Sequence, residues 1–133
     1  MTIEELEQFA TTYDQIQEKS VQLFYTLDHL DKKYKFPNSY TSDGRYDFDH
    51  FTIESNYIDF HGSYSVQGDW GNKSYTLTLQ EFFNSDEYLK QYEQKLKDRL
   101  EEYNQKEKDR KTRDEERERE TYLKLKAKYE GNK

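Results

Sequence analysis

The sequence has no cysteine, one proline and five glycines in 133 residues. Without Cys there is no disulfide frame, no thiolate metal site and no thiol nucleophile, a composition that suits a reducing compartment. Leu, Ile, Val and Phe together number 25. That is about 19 % of the chain, the range in which a sequence starts to lack the apolar surface for a core. No apolar run approaches the roughly 18 residues of a membrane span, and Met1-Thr2-Ile3-Glu4-Glu5 is acidic where a secretory signal is basic and then apolar. A cytoplasmic protein with no membrane partner is expected. Glycine loops that cradle phosphate, a nucleophile elbow, HExxH and an EF-hand loop are all missing, so the sequence predicts no enzyme and no cofactor.

Aromatic residues are what the chain has in abundance: 13 Tyr, 8 Phe and one Trp. Each ring can bury roughly 150–250 Å², which predicts a folded protein with a thin, aromatic core. The length suits a single domain.

A formal net charge of −7 argues against direct contact with nucleic acid, whose affinity rests on Lys and Arg. The charge is unevenly placed. Residues 1–84 hold 6 basic and 14 acidic residues, a net of −8, whereas residues 85–133 hold 15 and 14, a net of +1. Within the acidic part, residues 36–72 carry Asp43, Asp47, Asp49, Glu54, Asp59 and Asp69 against Arg45 alone.

Residues 1–36 read as helical. Thr2 and Glu5 have capping-box spacing, and Leu6, Phe9, Tyr13, Ile16, Ser20, Leu23, Leu27, Leu30 and Tyr34 recur at alternating steps of three and four. Either one helix or two joined by a bend fits, ending before Pro37. Residues 37–83 change to period two. Tyr46, Phe48, Phe51 and Ile53 predict a strand broken at Asp49-His50. Ile58, Phe60, Gly62 and Tyr64 follow a Ser55-Asn56 turn, and Tyr75, Leu77 and Leu79 form a third strand. Residues 39–44 could extend the sheet to four strands. Between the second and third lies Gln67-Gly68-Asp69-Trp70-Gly71-Asn72, read as a turn that either tucks Trp70 onto the sheet edge or presents it.

Residues 84–133 read as a long charged helix. Leu89, Tyr92, Leu96, Leu100 and Tyr103 give one apolar face, residues 104–121 contain no apolar side chain, and acid-to-base pairs such as Glu102/Lys106 and Glu107/Lys111 support the helix in solvent. Tyr122, Leu123, Leu125 and Tyr129 close the chain out of heptad phase with that face. The fold expected is α+β: an N-terminal helix, a three- to four-stranded antiparallel sheet and a long C-terminal helix.

The candidate chemistry is thin. His29 lies beside Asp28 and Asp31 on a helix, where a solvated surface is the plain reading. His50 and His61 lie near Asp47, Asp49 and Asp59 and converge if the first two strands pair; two His and a carboxylate can bind zinc in principle, but nothing fixes the spacing, and surface or interface residues are the preferred reading with no metal. The remaining signal is the overlap of acidic and aromatic residues. Carboxylates stand where phosphates lie in a basic groove, and rings occupy the stacking platforms of bases. Asp47, Asp49, Asp59 and Asp69 are the candidate phosphate mimics, with Tyr57, Tyr64 and Trp70 as anchors.

The stretches "YIDFHGSYSVQGDWGNKSYTLTLQEFF", "NSDEYLKQYEQKLKDRLEEYNQ" and "ETYLKLKAKYEG" resemble, across residues 57–133, the small early-region proteins of phages and prophages of low-GC Gram-positive bacteria. A subset of those proteins are anti-CRISPR inhibitors that bind a nuclease where its nucleic acid lies. The resemblance implies a non-enzymatic inhibitor acting in the cytoplasm of an infected cell, its partner a CRISPR nuclease or another host protein with a basic groove. The alternative is a phage scaffold protein that forms a homodimer through its helices, with Leu23, Leu27 and Leu30 as the seam.

Overall fold

The structure is a computed structural model that describes residues 1–37, 46–66 and 68–131, apart from the side chains of residues 66 and 69. The proposed fourth strand at 39–44 and the turn residue Gln67 lie outside the described residues. The chain groups into two compact units, Met1–Leu96 and Lys97–Lys133. The element order is α1 (Ile3–Lys33), β1 (Asp47–Glu54), β2 (Tyr57–Val66), β3 (Asp69–Thr78), α2 (Leu79–Phe83) and α3 (Ser85–Glu130). This is the expected α+β arrangement.

In the first unit, α1 is one uninterrupted helix of 31 residues. The Thr2 side chain accepts from the Glu5 backbone N–H at 3.1 Å, satisfying a donor that the first turn leaves open. The helix stops at Lys33, three residues short of the predicted end, and the Tyr34 N–H donates to the Leu30 carbonyl at 3.0 Å.

The three strands form an antiparallel sheet in the order β1-β2-β3. Ser55 turns the first hairpin with φ 54°. The register shifts between Phe48 and His50, at the predicted break. That extra residue has a packing purpose. Phe48 lies opposite Gly62 and Phe51 opposite Phe60, so without a bulge the two rings, three positions apart, would point to opposite faces.

Two sequence expectations are corrected. Leu79 does not end the third strand. Thr78 caps α2 instead, accepting from the Glu81 N–H at 3.1 Å while Glu81 Oε1 accepts from the Thr78 N–H at 2.9 Å; the Leu79 N–H then donates to the Asn56 carbonyl at 2.8 Å. A capping box three residues wide outweighs an alternation that continues by one position. The stretch from Asp69 to Asn72 is likewise strand rather than turn: Trp70, Gly71 and Asn72 pair with Ser65, Tyr64 and Ser63. Gly71 serves the ladder by making room for the Tyr64 ring, which lies 2.6 Å from where a Cβ would stand.

The core consists of Leu23, Phe24 and Leu27 of α1, Ile58 and Phe60 of β2, Leu77 of β3 and Phe82 of α2. Phe24 is its centre. Its ring meets Tyr75 and Phe48 edge-on at 5.7 and 5.8 Å and takes the space a side chain at Gly62 would fill. Leu23, Leu27 and Leu30 are 5 %, 0 % and 7 % exposed without any second copy. The leucines read as a homodimer seam are thus buried within their own chain, and making them polar is expected to destabilise the unit itself.

The second unit is the helix beyond Leu96. Its exposed ion pairs join Lys106 to Glu102 at 3.0 Å, and Arg110 to Glu107 at 3.0 Å and to Asp114 at 3.5 Å. Pairs of this kind contribute about 0.2–0.5 kcal/mol each, so their number matters more than any one of them.

Candidate functional site: an acidic sheet face

Alternation along the strands sorts the sheet into two faces. Phe48, Phe51 and Ile53 of β1, Ile58, Phe60, Gly62 and Tyr64 of β2, and Gly71, Lys73, Tyr75 and Leu77 of β3 share the side toward α1. The register then puts Asp47, His50, Thr52 and Glu54, Tyr57, Asp59, His61, Ser63 and Ser65, and Trp70, Asn72, Ser74, Thr76 and Thr78 on the other side. No helix of the first unit covers that outer face. Among its described residues it carries three carboxylates and no Lys or Arg.

The basic residue of the strands, Lys73, is turned inward, where three elements meet. Its ammonium lies 2.7 Å from Asp28 Oδ1 and 3.3 Å from Asp31 Oδ2, with Lys32 a further 2.9 Å contact to Asp28. Tyr75 and Tyr92 each donate to Asp31 at 2.5 Å, and the Tyr46 and Tyr75 rings flank the ammonium at 5.3 Å. Asp28 and Asp31 are thus not the solvated neighbours of His29 that the helix pattern implied. Burial acts to raise the Asp28 pKa, but hydrogen bonds and charge from Lys73 and Lys32 outweigh it and hold the carboxyl below its ordinary value. Sequence offered a signal for this network. A lysine in phase with Tyr75 and Leu77 points into the core, and it requires acids on the facing helix.

Tyr75 carries a testable consequence. Burial, then its hydrogen bond to the Asp31 carboxylate, pushes the phenol far above its ordinary value of about 10. The raised value favours the folded state only while the unfolded phenol keeps its proton. The expected result is a stability that is constant with respect to this group below about pH 10 and falls above it. Denaturant titrations from about pH 9 to 12 measure this, and Tyr75→Phe flattens the alkaline limb.

The seven predicted contact residues separate into groups. Asp47, Tyr57, Asp59 and Trp70 share the outer face, with Tyr57 50 % and Trp70 76 % exposed. Trp70 is therefore presented, not tucked against an edge. Asp59 accepts a hydrogen bond from Thr76 Oγ1 across the ladder, which orients its carboxylate. Asp49 occupies the bulge of β1 and is exposed. Tyr64 is the correction: it points to the inner side, its ring 5.0 Å from Tyr46 and over Gly71, because it falls in phase with Ile58, Phe60 and Gly62. Asp69 opens β3 opposite Val66, and its side chain lies outside those described.

Three further residues belong to this face, Glu54 and the His50–His61 pair, whose convergence follows from the pairing of β1 with β2 but which sequence reasoning did not assign to partner contact. Glu54, opposite Tyr57 at the hairpin end, extends the acidic line. His50 and His61 pair across the strands as well, their rings stacked at 4.6 Å, and His61 Nε2 lies 3.0 Å from Thr52 Oγ1. Among the described residues no three His, Asp or Glu side chains form a metal-binding group. At the far end, Asp47, Asp49, Ser63, Ser65 and Trp70 line a depression of about 420 Å³, open enough to receive a long side chain beside the indole.

No protein-family model, curated protein or solved structure matches the chain. No helix among the described residues is long and apolar enough to cross a membrane.

Proposed function

We propose that the protein is a non-enzymatic inhibitor that occupies the basic nucleic-acid groove of a host defence nuclease, a CRISPR effector being the leading candidate from the sequence resemblance. One observation carries the binding mode: the outer sheet face presents Asp47, Glu54 and Asp59 with exposed Tyr57 and Trp70, while Lys73 is turned inward to Asp28 and Asp31. Such a face attracts a groove built for phosphates and repels nucleic acid itself. The carboxylates stand for phosphate charge, and the two rings offer flat surfaces to the stacking positions of the groove. Asp49, beside the depression, adds a fourth charge.

The test is inhibition of target cleavage by the guide-loaded effector. Asp47→Asn, Glu54→Gln and Asp59→Asn together are expected to raise the inhibitory concentration at least about tenfold and to flatten its dependence on salt. Trp70→Ser is expected to weaken inhibition while leaving the salt slope intact. Equal potency and equal slope for the neutralised variant would sink the proposal.

A further inference from the structure

The acidic sheet face leaves two apolar patches without a role. The first is on α1. Its core-facing stripe continues in phase beyond Ile16 as Tyr13, Phe9 and Leu6, yet Phe9 is 64 % and Leu6 54 % exposed. Tyr13 still reaches the sheet, its ring 5.2 Å from Phe51, and Phe9 extends the line at 6.3 Å from Tyr13. Alongside lies a groove of about 380 Å³ whose walls include Ile16, Ile53, Phe82 and Phe83, and both Ile53 and Phe83 are exposed. A continuous apolar surface of this kind marks an interaction site. Residues 1–18 carry Glu4, Glu5, Glu7, Asp14 and Glu18 and no Lys or Arg; the base at the groove itself is Lys19, whose ammonium lies 4.6 Å over the Phe82 ring.

The second patch is in the other unit, where Tyr122, Leu125 and Tyr129 lie on one side of the helix and are exposed. Between Tyr122 and Tyr129 its charge is opposite, with Lys124, Lys126 and Lys128 and no acid; Glu118, Arg119 and Glu120 precede the patch and Glu130 follows it. The two patches share a spacing. Leu6, Phe9 and Tyr13 stand at i, i+3 and i+7, and so do Tyr122, Leu125 and Tyr129; each seam covers about 10 Å of helix.

We propose that the C-terminal turns of a second copy dock on the N-terminal half of α1, with Tyr122, Leu125 and Tyr129 against Leu6, Phe9 and Tyr13 and with the three lysines facing Glu5, Glu7 and Asp14. Charge selects this combination. Pairing α1 with α1 sets acids against acids, and pairing tail with tail sets lysines against lysines; both are repulsive. Acid-flanked seam against base-flanked seam is attractive, and equal i, i+3, i+7 spacing lets the side chains interdigitate as in helix-in-groove recognition. The contact is heterologous, since each copy uses one patch to receive and the other to insert. It is independent of the outer sheet face.

Light scattering over a wide concentration range, with circular dichroism as the check on folding, tests the assignment. The wild-type mass is expected to rise with concentration. The triple variant E5K, E7K, D14K and the triple variant K124E, K126E, K128E are each expected to stay monomeric while keeping their helical signal. Mixing the two restores association, because the reversed α1 of one meets the reversed tail of the other. Phe9→Ser and Leu125→Ser each weaken wild-type association at least about tenfold. A wild-type mass that stays monomeric at every concentration overturns the proposal, as does a mixture of the reversed variants that fails to associate. A tail docked on its own chain gives that same constant mass and so counts against it.

Discussion

Adding one methyl group at Gly62 is expected to destabilise the first unit by about 3 kcal/mol, at the upper end for overpacking. Intrinsic preference points the other way, because glycine in a strand interior is less favourable than almost any replacement. Geometry decides the sign. A Cβ at Gly62 would lie 2.2 Å from Phe24 Cζ, 2.7 Å from Phe24 Cε2 and 2.9 Å from the Asp47 carbonyl oxygen. Phe24 is fully buried and held edge-on by Phe48 and Tyr75, so its ring has no vacant rotamer to adopt, and the carbonyl belongs to the paired strand. Phe24→Leu alone is expected to cost about 1–2 kcal/mol through lost volume. Combined with Gly62→Ala it should cost less than the sum of the two, since the smaller side chain leaves room for the methyl group. Urea denaturation of the two single variants and the double variant gives the coupling; additive losses, or a neutral Gly62→Ala, contradict the packing described.

The second large effect is at Lys73. Lys73→Met is expected to cost about 2–3 kcal/mol near neutral pH, below the full penalty for orphaning a buried charge because Lys32 still reaches Asp28 and two phenols still donate to Asp31. The loss is pH-dependent with a definite sign. The depressed pKa of Asp28 contributes stability above the ordinary carboxylate range near about 4, and that contribution fades as pH falls through the folded value. The difference between wild type and variant should therefore be largest near neutrality and shrink in acid. Replacing both partners, Asp28→Leu with Lys73→Met, is expected to recover most of the loss, as an apolar pair needs no compensating charge. A gap that stays constant down to about pH 3 would assign the effect to lost packing of the lysine stem instead.

The elements that were legible in the sequence are those whose pattern repeats. Nine positions from Leu6 to Tyr34 at helical spacing placed α1, and Phe48, Phe51, Phe60 and Tyr75 placed the inner side of the sheet. The break at Asp49-His50 could be read because the aromatic alternation skips one residue there. Local competition hid the rest. Thr78 and Glu81 form a capping box inside what reads as a strand, and glycines at 68 and 71 suggested a long turn where only the first has the positive φ of one. Glycine at 71 answers instead to the ring of Tyr64 across the ladder. The same phase assigns Tyr64 inward, a step that counting alternate residues from Ile58 supplies. The acidic face was legible as a concentration of charge, whereas its uniform sign depended on Lys73, whose partners lie 45 and 42 positions away in α1.

Those partners decide what the exposed surface can attract, and competition binding tests the consequence most directly. The guide-loaded effector is titrated with this protein at increasing concentrations of target nucleic acid, and the apparent affinity is followed. Occupation of the nucleic-acid groove by the outer sheet face predicts that the apparent dissociation constant rises in proportion to the nucleic acid present, with no ternary complex. An affinity indifferent to nucleic acid, with protein and target bound together on one effector, would contradict it.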